Sequence, residues 1–184
     1  MWWISVFGEI PPVGHVLRSV FNNDWTRFHS LPESKRYADN AEEYSELSHR
    51  HLAVADELFE KEETIYVFRS HLYEKKLKGK NRHQLCSRQL REKMVTLSRG
   101  SDELDEDQRY FVRALVTSWI PDFFDELILQ VADWKETGIA FVSPSTKNIY
   151  CPYDGGMDIF TFAKFPHSLE DKFHTWRSSR ADKL

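Results

Sequence analysis

The sequence predicts a single α+β domain across residues 1–184. We expect a mostly antiparallel sheet of about five to six strands that ends in a meander, with helices packed on one face. Three observations predict it. The chain has 184 residues, a length that one hydrophobic core can serve. Helical and strand-like patterns follow one another without the strict alternation of a parallel sheet. Three short strand patterns, at 139–142, 148–151 and 157–162, are separated only by turns.

The first half of the chain alternates helices and strands. Residues 11–21 fit a short helix, and the aromatic and β-branched residues 25–29 are typical of a strand. A longer helix is predicted over 39–60, because apolar residues recur there at spacings of three and four. Asp39 is its expected N-cap, with an acidic residue three positions later. Residues 64–68 then predict a buried strand.

The second half has stronger patterns. Every second residue from 110 to 116 is apolar or aromatic, which favours a strand over 110–120, although a helix is also possible. Pro121 suits the first turn of a helix, which Gly138 ends. The stripe that this helix would bury consists of Phe123, Leu127, Val131 and Trp134. After the meander, a last helix is expected to begin at Ser168.

Composition excludes several classes of protein. With 41% apolar and 14% aromatic residues, the chain is not intrinsically disordered. No apolar run approaches the roughly 20 residues needed to cross a bilayer. Two cysteines cannot form a disulfide framework, and the first residues lack the basic region of a signal peptide. We therefore expect a cytoplasmic protein.

Charge is strongly segregated in the middle of the chain. Residues 75–99 carry nine basic side chains and one acid, and residues 100–107 carry five acids and no base. The net charge of −4 is thus a difference between a basic block and an acidic remainder. We expect a charged insertion or diverged region at about 75–107, whose basic part forms an amphipathic helix.

The basic block has three interpretations. It can be a solvated insertion, a surface for an acidic protein, or a nucleic-acid contact. Aromatic residues are not interleaved with the basic ones, which makes a nucleic-acid partner the weakest of the three. The candidate partner contacts are Lys75, Lys76, Lys78, Lys80, Arg82, Arg88 and Arg91.

The chain lacks the common catalytic and cofactor motifs. It has no phosphate-binding glycine loop, no dinucleotide fingerprint, no HExxH or CxxC and no nucleophile elbow. His49 and His51 are two positions apart, which on a helix separates them too widely to share one metal. His51 falls on the apolar stripe and is expected to be a buried, hydrogen-bonded histidine. No metal or cofactor is predicted. Whether the protein is an enzyme stays open, although the absence of a catalytic motif favours a protein that is not one.

One candidate site is the segment from Arg27 to Tyr37. It concentrates Arg27, His29, Lys35 and Arg36 around a proline-containing loop, where such donors can bind a phosphate or carboxylate. The alternative is that Arg27 and Arg36 pair with acids of the helix at 39–60 and hold the loop in place.

A second candidate site lies in the stretch from Tyr150 to Asp158. Tyr153, Asp154 and Asp158 surround a Gly-Gly pair, and the two aspartates can form a carboxylate pair. Asp-Gly-Gly between strands is also ordinary hairpin chemistry. If the two segments meet, an ion pair from Arg27 or Arg36 to Asp158 would explain both without catalysis.

These two segments resemble a small bacterial protein family of unknown function. The sequence RFHSLPESKRYA at 27–38, followed by a helix with a histidine pair, is similar to its N-terminal signature. A tyrosine-proline-tyrosine-aspartate-glycine-glycine run follows later in that family. Here it corresponds to Tyr150 and 152–158, with Cys151 replacing a histidine and Met157 a small residue. The resemblance covers most of the chain outside 75–107 and implies no reaction.

Function is therefore predicted in three forms. The first is a non-enzymatic protein-interaction module, for example an antidote that binds a toxin. The second is a small-ligand or phosphate-binding protein, or a hydrolase-type enzyme, that uses Arg27, His29 and Arg36 with Asp154 and Asp158. The third is nucleic-acid binding through 75–99.

Overall fold

A computed structural model describes residues 2–72, 92–97, 109–162, 169–178 and 180. Its helices and strands, in chain order, are α1 Trp2–Phe7, α2 Gly14–Val20, β1 Trp25–His29, α3 Ala41–Leu58, β2 Thr64–Leu72, β3 Glu92–Leu97, β4 Arg109–Ser118, α4 Pro121–Ala132, β5 Ile139–Val142, β6 Ile149–Tyr153, β7 Gly156–Phe160 and α5 Leu169–Lys172. Short 3₁₀ turns lie at Pro32–Ser34 and His174–Trp176.

The strands form one sheet in the order β1-β7-β6-β5-β2-β4-β3. Every strand pair within the described residues is antiparallel. The chain is an α+β domain, as predicted, with seven strands rather than five or six. β5, β6 and β7 form the predicted meander, and β1 returns beside β7 at one edge.

Helices cover both faces of the sheet, so the prediction of helices on one face is wrong. Ile65 and Val67 of β2 pack in the core that includes α3, α4 and α5. The alternate residue Phe68 packs in a second core with α1 and α2. The physical reason is that the central strands are apolar on both sides: all four residues of β5 are buried.

Two local predictions are corrected in the helices. Asn40, not Asp39, caps α3: its side chain accepts a hydrogen bond from the Glu43 backbone N–H at 2.9 Å. In α4 the buried side chains include Phe124 and Ile128, whereas the predicted Phe123 and Trp134 are 60% and 61% exposed. The ring of Phe124 stacks on Trp119 at 5.4 Å, which selects this face of the helix.

The charged middle of the chain is described only in part. Residues 92–97 form strand β3, paired with β4, and not part of the predicted basic helix. The physical reason is that all six residues of this segment pair with residues of β4, a distant partner that the spacing of residues along the chain does not reveal. The other residues of 75–107, and Ser168 as the predicted start of the last helix, lie outside the described residues.

Candidate functional site

The two candidate segments meet where β1 pairs with β7. The register sets Arg27 opposite Asp158, on adjacent strands. The Arg27 guanidinium donates from Nε to Asp158 Oδ1 at 2.8 Å and from Nη2 to Oδ2 at 3.0 Å. The Trp25 indole N–H donates to the same Oδ1 at 2.8 Å. The Arg27 guanidinium also lies 4.7 Å from the centre of the Tyr153 ring.

Asp158 is 4% exposed and is closed off by α2. A Cβ added at Gly14 would lie 3.2 Å from Asp158 Oδ2, so the first turn of α2 packs directly on this carboxylate. Both carboxylate oxygens already accept hydrogen bonds, Oδ1 from Trp25 and Arg27 and Oδ2 from Arg27. The Arg27–Asp158 ion pair proposed as the structural alternative is therefore present, in bidentate form.

A second ion pair joins the same segments nearer the surface. Arg36 Nε lies 3.2 Å from Asp154 Oδ2, and the Tyr37 hydroxyl donates to that oxygen at 2.9 Å. Asp154 is nearly buried, whereas the Arg36 side chain is 60% exposed. The alternative in which Arg27 and Arg36 pair with acids of the helix at 39–60 is wrong. Lys35 makes that contact instead, with Glu43 of α3 at 2.6 Å.

Glycine 156 is required by the close approach of β1 and β7. A Cβ at Gly156 would lie 2.2 Å from the Phe28 carbonyl oxygen, a distance at which the strands would have to separate. At Gly155 the nearest atom would be 3.4 Å away, in ordinary contact. The Gly-Gly pair therefore serves strand packing at its second position.

His29 stands apart from both ion pairs. Its Nε2 is buried and has no hydrogen-bond partner among the residues that the structure describes. Burial, followed by the positive charges of Arg27 and Arg50, lowers its pKa, so the ring is neutral at pH 7. The predicted site residues thus lie in three separate ion pairs, Arg27–Asp158, Arg36–Asp154 and Lys35–Glu43, with His29 outside them.

An open cleft of about 590 Å³ crosses the end of the sheet. At that end β2 and β6 finish and β4 and β5 begin, so their terminal residues face one another. The lining comes from α2, from these four strand ends and from the turn after α4: Val13, His15, Ser70, His71, Tyr110, Val131, Trp134, Glu136, Thr137, Gly138, Pro152, Tyr153 and Asp154. Of the candidate residues that the structure describes, Tyr153 and Asp154 line the cleft, and the other five ligand-binding candidates do not.

The turn after α4 is held rigidly against the sheet. Glu136, which is 5% exposed, forms an ion pair with Arg69 of β2 at 2.6 Å. Gly138 has φ +68°, and a Cβ there would lie 2.2 Å from the Ser70 carbonyl oxygen. The Ser70 N–H in turn donates to the Gly138 carbonyl at 2.8 Å. The cleft wall formed by this turn is therefore pre-organised.

Uncharged hydrogen-bonding groups line the opposite side of the cleft. His15 Nε2 lies 3.2 Å from the Tyr110 hydroxyl. Burial and the charge of Arg18 lower the pKa of His15, and burial raises the pKa of Tyr110. At pH 7 both groups are neutral, and each can donate or accept. The two carboxylates of the cleft, Glu136 and Asp154, each have an arginine partner.

A buried hydrogen-bonded chain lies inside the α3 face of the sheet. His51 Nε2 lies 2.7 Å from Ser30 Oγ, and His51 Nδ1 lies 2.6 Å from the Tyr150 hydroxyl. All three residues are fully buried, which confirms that His51 is a buried, hydrogen-bonded histidine. A substrate therefore cannot reach Ser30. Desolvation lowers the pKa of His51 to about 3. Sequence spacing could not identify its partners, because they lie on other elements.

The residues described give no grouping of three or more histidine, cysteine or acidic side chains suited to a metal ion. In the same part of the chain no helix is long and apolar enough to cross a membrane. The candidate partner contacts Lys75, Lys76, Lys78, Lys80, Arg82, Arg88 and Arg91 lie outside the described residues, so they stay a prediction.

Comparison with known proteins adds a family without a function. A family model described as "Domain of unknown function (DUF3885)" matches residues 13–181. No curated protein and no solved structure matches the chain.

Proposed function

The chain belongs to this family of unknown function, DUF3885, and from its own geometry we propose that it binds a small molecule in the cleft at the end of the sheet. The observation that carries the proposal is the cleft itself, about 590 Å³ in volume. Pockets that hold small ligands span roughly 300–1,000 Å³ and combine apolar walls with a few polar groups. Here His15, Tyr110 and Asp154 supply such groups beside Val13 and Trp134.

We favour binding over catalysis because the acidic and basic side chains that could catalyse a reaction are buried within the fold or held by internal partners. Asp158 is buried under α2 and is saturated by Arg27 and Trp25. Ser30 and His51 have a nucleophile–base geometry but are fully buried. The ion pair between β1 and β7 therefore acts as part of the scaffold, and the cleft acts as the site.

The experiment is a ligand-observed NMR screen of the full chain against a fragment library with aromatic, aliphatic, cationic and anionic members. Thr137 is exposed and lines the cleft, so Thr137→Trp should fill its mouth without disturbing the core. Thr175 is also exposed and does not line the cleft, so Thr175→Trp is the matched control.

We expect fragments that bind the parent and the Thr175→Trp variant but not the Thr137→Trp variant. A screen without any such fragment would contradict the proposal, as would fragments that bind all three proteins alike.

Protein interaction through the basic block is the second candidate, and the segregation of charge favours it. Nine basic side chains against one acid within 75–99 create a local positive field in a protein of net charge −4. Such a field steers association with an acidic protein surface. An antidote that binds an acidic toxin is one form of this interaction.

The test compares the parent with a variant in which Lys75, Lys76, Lys78 and Lys80 are changed to Glu. Both proteins are used as bait in a lysate, with and without nuclease, at low and high salt. The candidate is supported if the parent bait, but not the variant, captures a protein from the lysate at low salt and releases it at high salt. If nuclease abolishes the capture, the bait binds nucleic acid instead. If both baits capture the same proteins equally, the basic block does not take part in the interaction.

A further inference from the structure

Trp134 combines two features that its packing does not explain. Its side chain is 61% exposed, and its backbone has φ +60°. Positive φ values of this kind belong to the left-handed backbone conformation, which is disfavoured for residues with a Cβ. At the end of a helix, the residue in this conformation is usually glycine.

The hydrogen bonds around Trp134 identify this helix end. The Trp134 N–H donates to the Val131 carbonyl at 3.0 Å, and the Lys135 N–H donates to the Gln130 carbonyl at 2.8 Å. This is the pattern of a Schellman motif, with Trp134 at the position where glycine is preferred. A tryptophan there strains the backbone and exposes a large apolar surface.

Strain of this kind is found at functional sites, where the side chain has a role that a relaxed residue would not fill. The side chain of Trp134 lines the cleft. The turn that carries it is fixed by the Glu136–Arg69 ion pair and by the contact between Gly138 and Ser70. The indole is therefore presented to the cleft by a rigid support.

The remaining groups of the cleft restrict the charge of what it can hold. Glu136 is paired with Arg69 at 2.6 Å, and Asp154 with Arg36 at 3.2 Å. A charged ligand would have to compete with these internal partners, whereas an uncharged one would not. His15 and Tyr110 add neutral groups that can donate and accept hydrogen bonds.

We propose that Trp134 is a stacking platform and that the cleft takes an uncharged, flat nitrogen heterocycle of the nucleobase or nucleoside class, an inference that rests on the proposed ligand-binding function. The flat ring stacks on the indole, and the donors and acceptors on its edge meet the neutral groups of His15 and Tyr110. The volume of the cleft, about 590 Å³, also leaves room for a sugar beside the base.

The test uses the full chain with four uncharged nucleosides, adenosine, guanosine, cytidine and uridine, and with tetramethylammonium as a cationic probe. Binding is followed by saturation-transfer NMR, and thermal unfolding is measured in parallel. The informative variant is Trp134→Gly, because glycine relaxes the backbone while the platform is lost. Phe123→Ala is the control, since Phe123 is a similarly exposed aromatic residue, 60% exposed in the first turn of α4, and does not line the cleft.

We expect at least one nucleoside to bind, with the strongest saturation on its base protons. In Trp134→Gly the dissociation constant should rise at least about fivefold, the weaker end of base–aromatic stacking. The thermal midpoint of that variant should be unchanged or higher, because a strained residue is replaced by one that suits the conformation. Phe123→Ala should bind as the parent does.

Three results would overturn the inference. One is that cleft fragments bind while no nucleoside does, which leaves the proposed function standing. Another is tetramethylammonium binding in place of the nucleosides. The third is equal nucleoside affinity in the parent and Trp134→Gly. If neither fragments nor nucleosides distinguish the parent from Thr137→Trp, the proposed function fails as well.

Discussion

Replacing Asp158 by asparagine should destabilise the protein far more than breaking an exposed ion pair. The Arg27 and Asp158 side chains are 11% and 5% exposed, so the guanidinium has little access to water. Asparagine keeps an oxygen for Trp25 but removes the charge, and its amide N–H₂ would face a donor of Arg27. Breaking a buried pair on one side costs roughly 3–5 kcal/mol. We expect about 3 kcal/mol, the lower end of that range, because one acceptor survives.

The assay is urea unfolding followed by fluorescence at pH 7, with Glu57→Gln as the matched control. Glu57 pairs with Lys172, and their side chains are 39% and 52% exposed. That change should cost less than about 1 kcal/mol.

A double variant separates the charge effect from lost packing. Arg27→Met combined with Asp158→Leu removes both charges, so it should be less destabilised than Asp158→Leu alone. If Asp158→Asn costs no more than Glu57→Gln, or if the double variant is the sum of its single changes, the buried ion pair does not hold β1 to β7 as described.

Three further predictions concern stability and use the same unfolding assay. Gly156→Ala should cost at least about 2 kcal/mol, because its Cβ would meet the Phe28 carbonyl at 2.2 Å, while Gly155→Ala should cost less than about 1 kcal/mol; equal costs would refute the packing argument. His51 has a pKa of about 3 in the folded protein and 6.5 as its ordinary value, so between these pH values only the unfolded state takes up its proton. Stability should therefore fall as pH drops below 6.5, by up to about 1.4 kcal/mol per pH unit, and a His51→Gln variant should lack that part of the slope. Asn40→Ala should cost about 1 kcal/mol and Asp39→Ala less, since the Asn40 side chain caps α3; the reverse order would restore Asp39 as the cap.

The sequence was sufficient for elements whose pattern is local. The strand at 25–29 was predicted with the bounds it has, and the apolar spacing around His51 identified the buried face of α3. These patterns follow from the periods of helix and strand alone.

The sequence was insufficient where a distant partner decides the outcome. In α4 the apolar residues allow two faces, and stacking of Phe124 on Trp119 selects the one that leaves Phe123 outside. β3 is a strand because β4 pairs with it. The short helix α1, which no expectation covered, is held by burial of Trp3 in the second core.

The candidate site shows the same division. Both motifs were visible in the sequence, and an Arg27–Asp158 ion pair was among the alternatives. Only the strand order shows that β1 lies beside β7 and that these residues face each other. The cleft joins several separate segments, and the strained backbone of Trp134 has no signature in the residue pattern.

The pairing of β1 with β7 has a consequence for how the chain folds. Arg27 and Asp158 are 131 positions apart, so their contact closes one of the longest loops in the domain. Closing a long loop loses chain entropy before the contact is gained, and folds with many such contacts form slowly. During synthesis, β1 cannot pair with β7 until almost the whole domain has been translated. We expect docking of β1 to be a late event in folding, with its unpaired edge exposed to association until then.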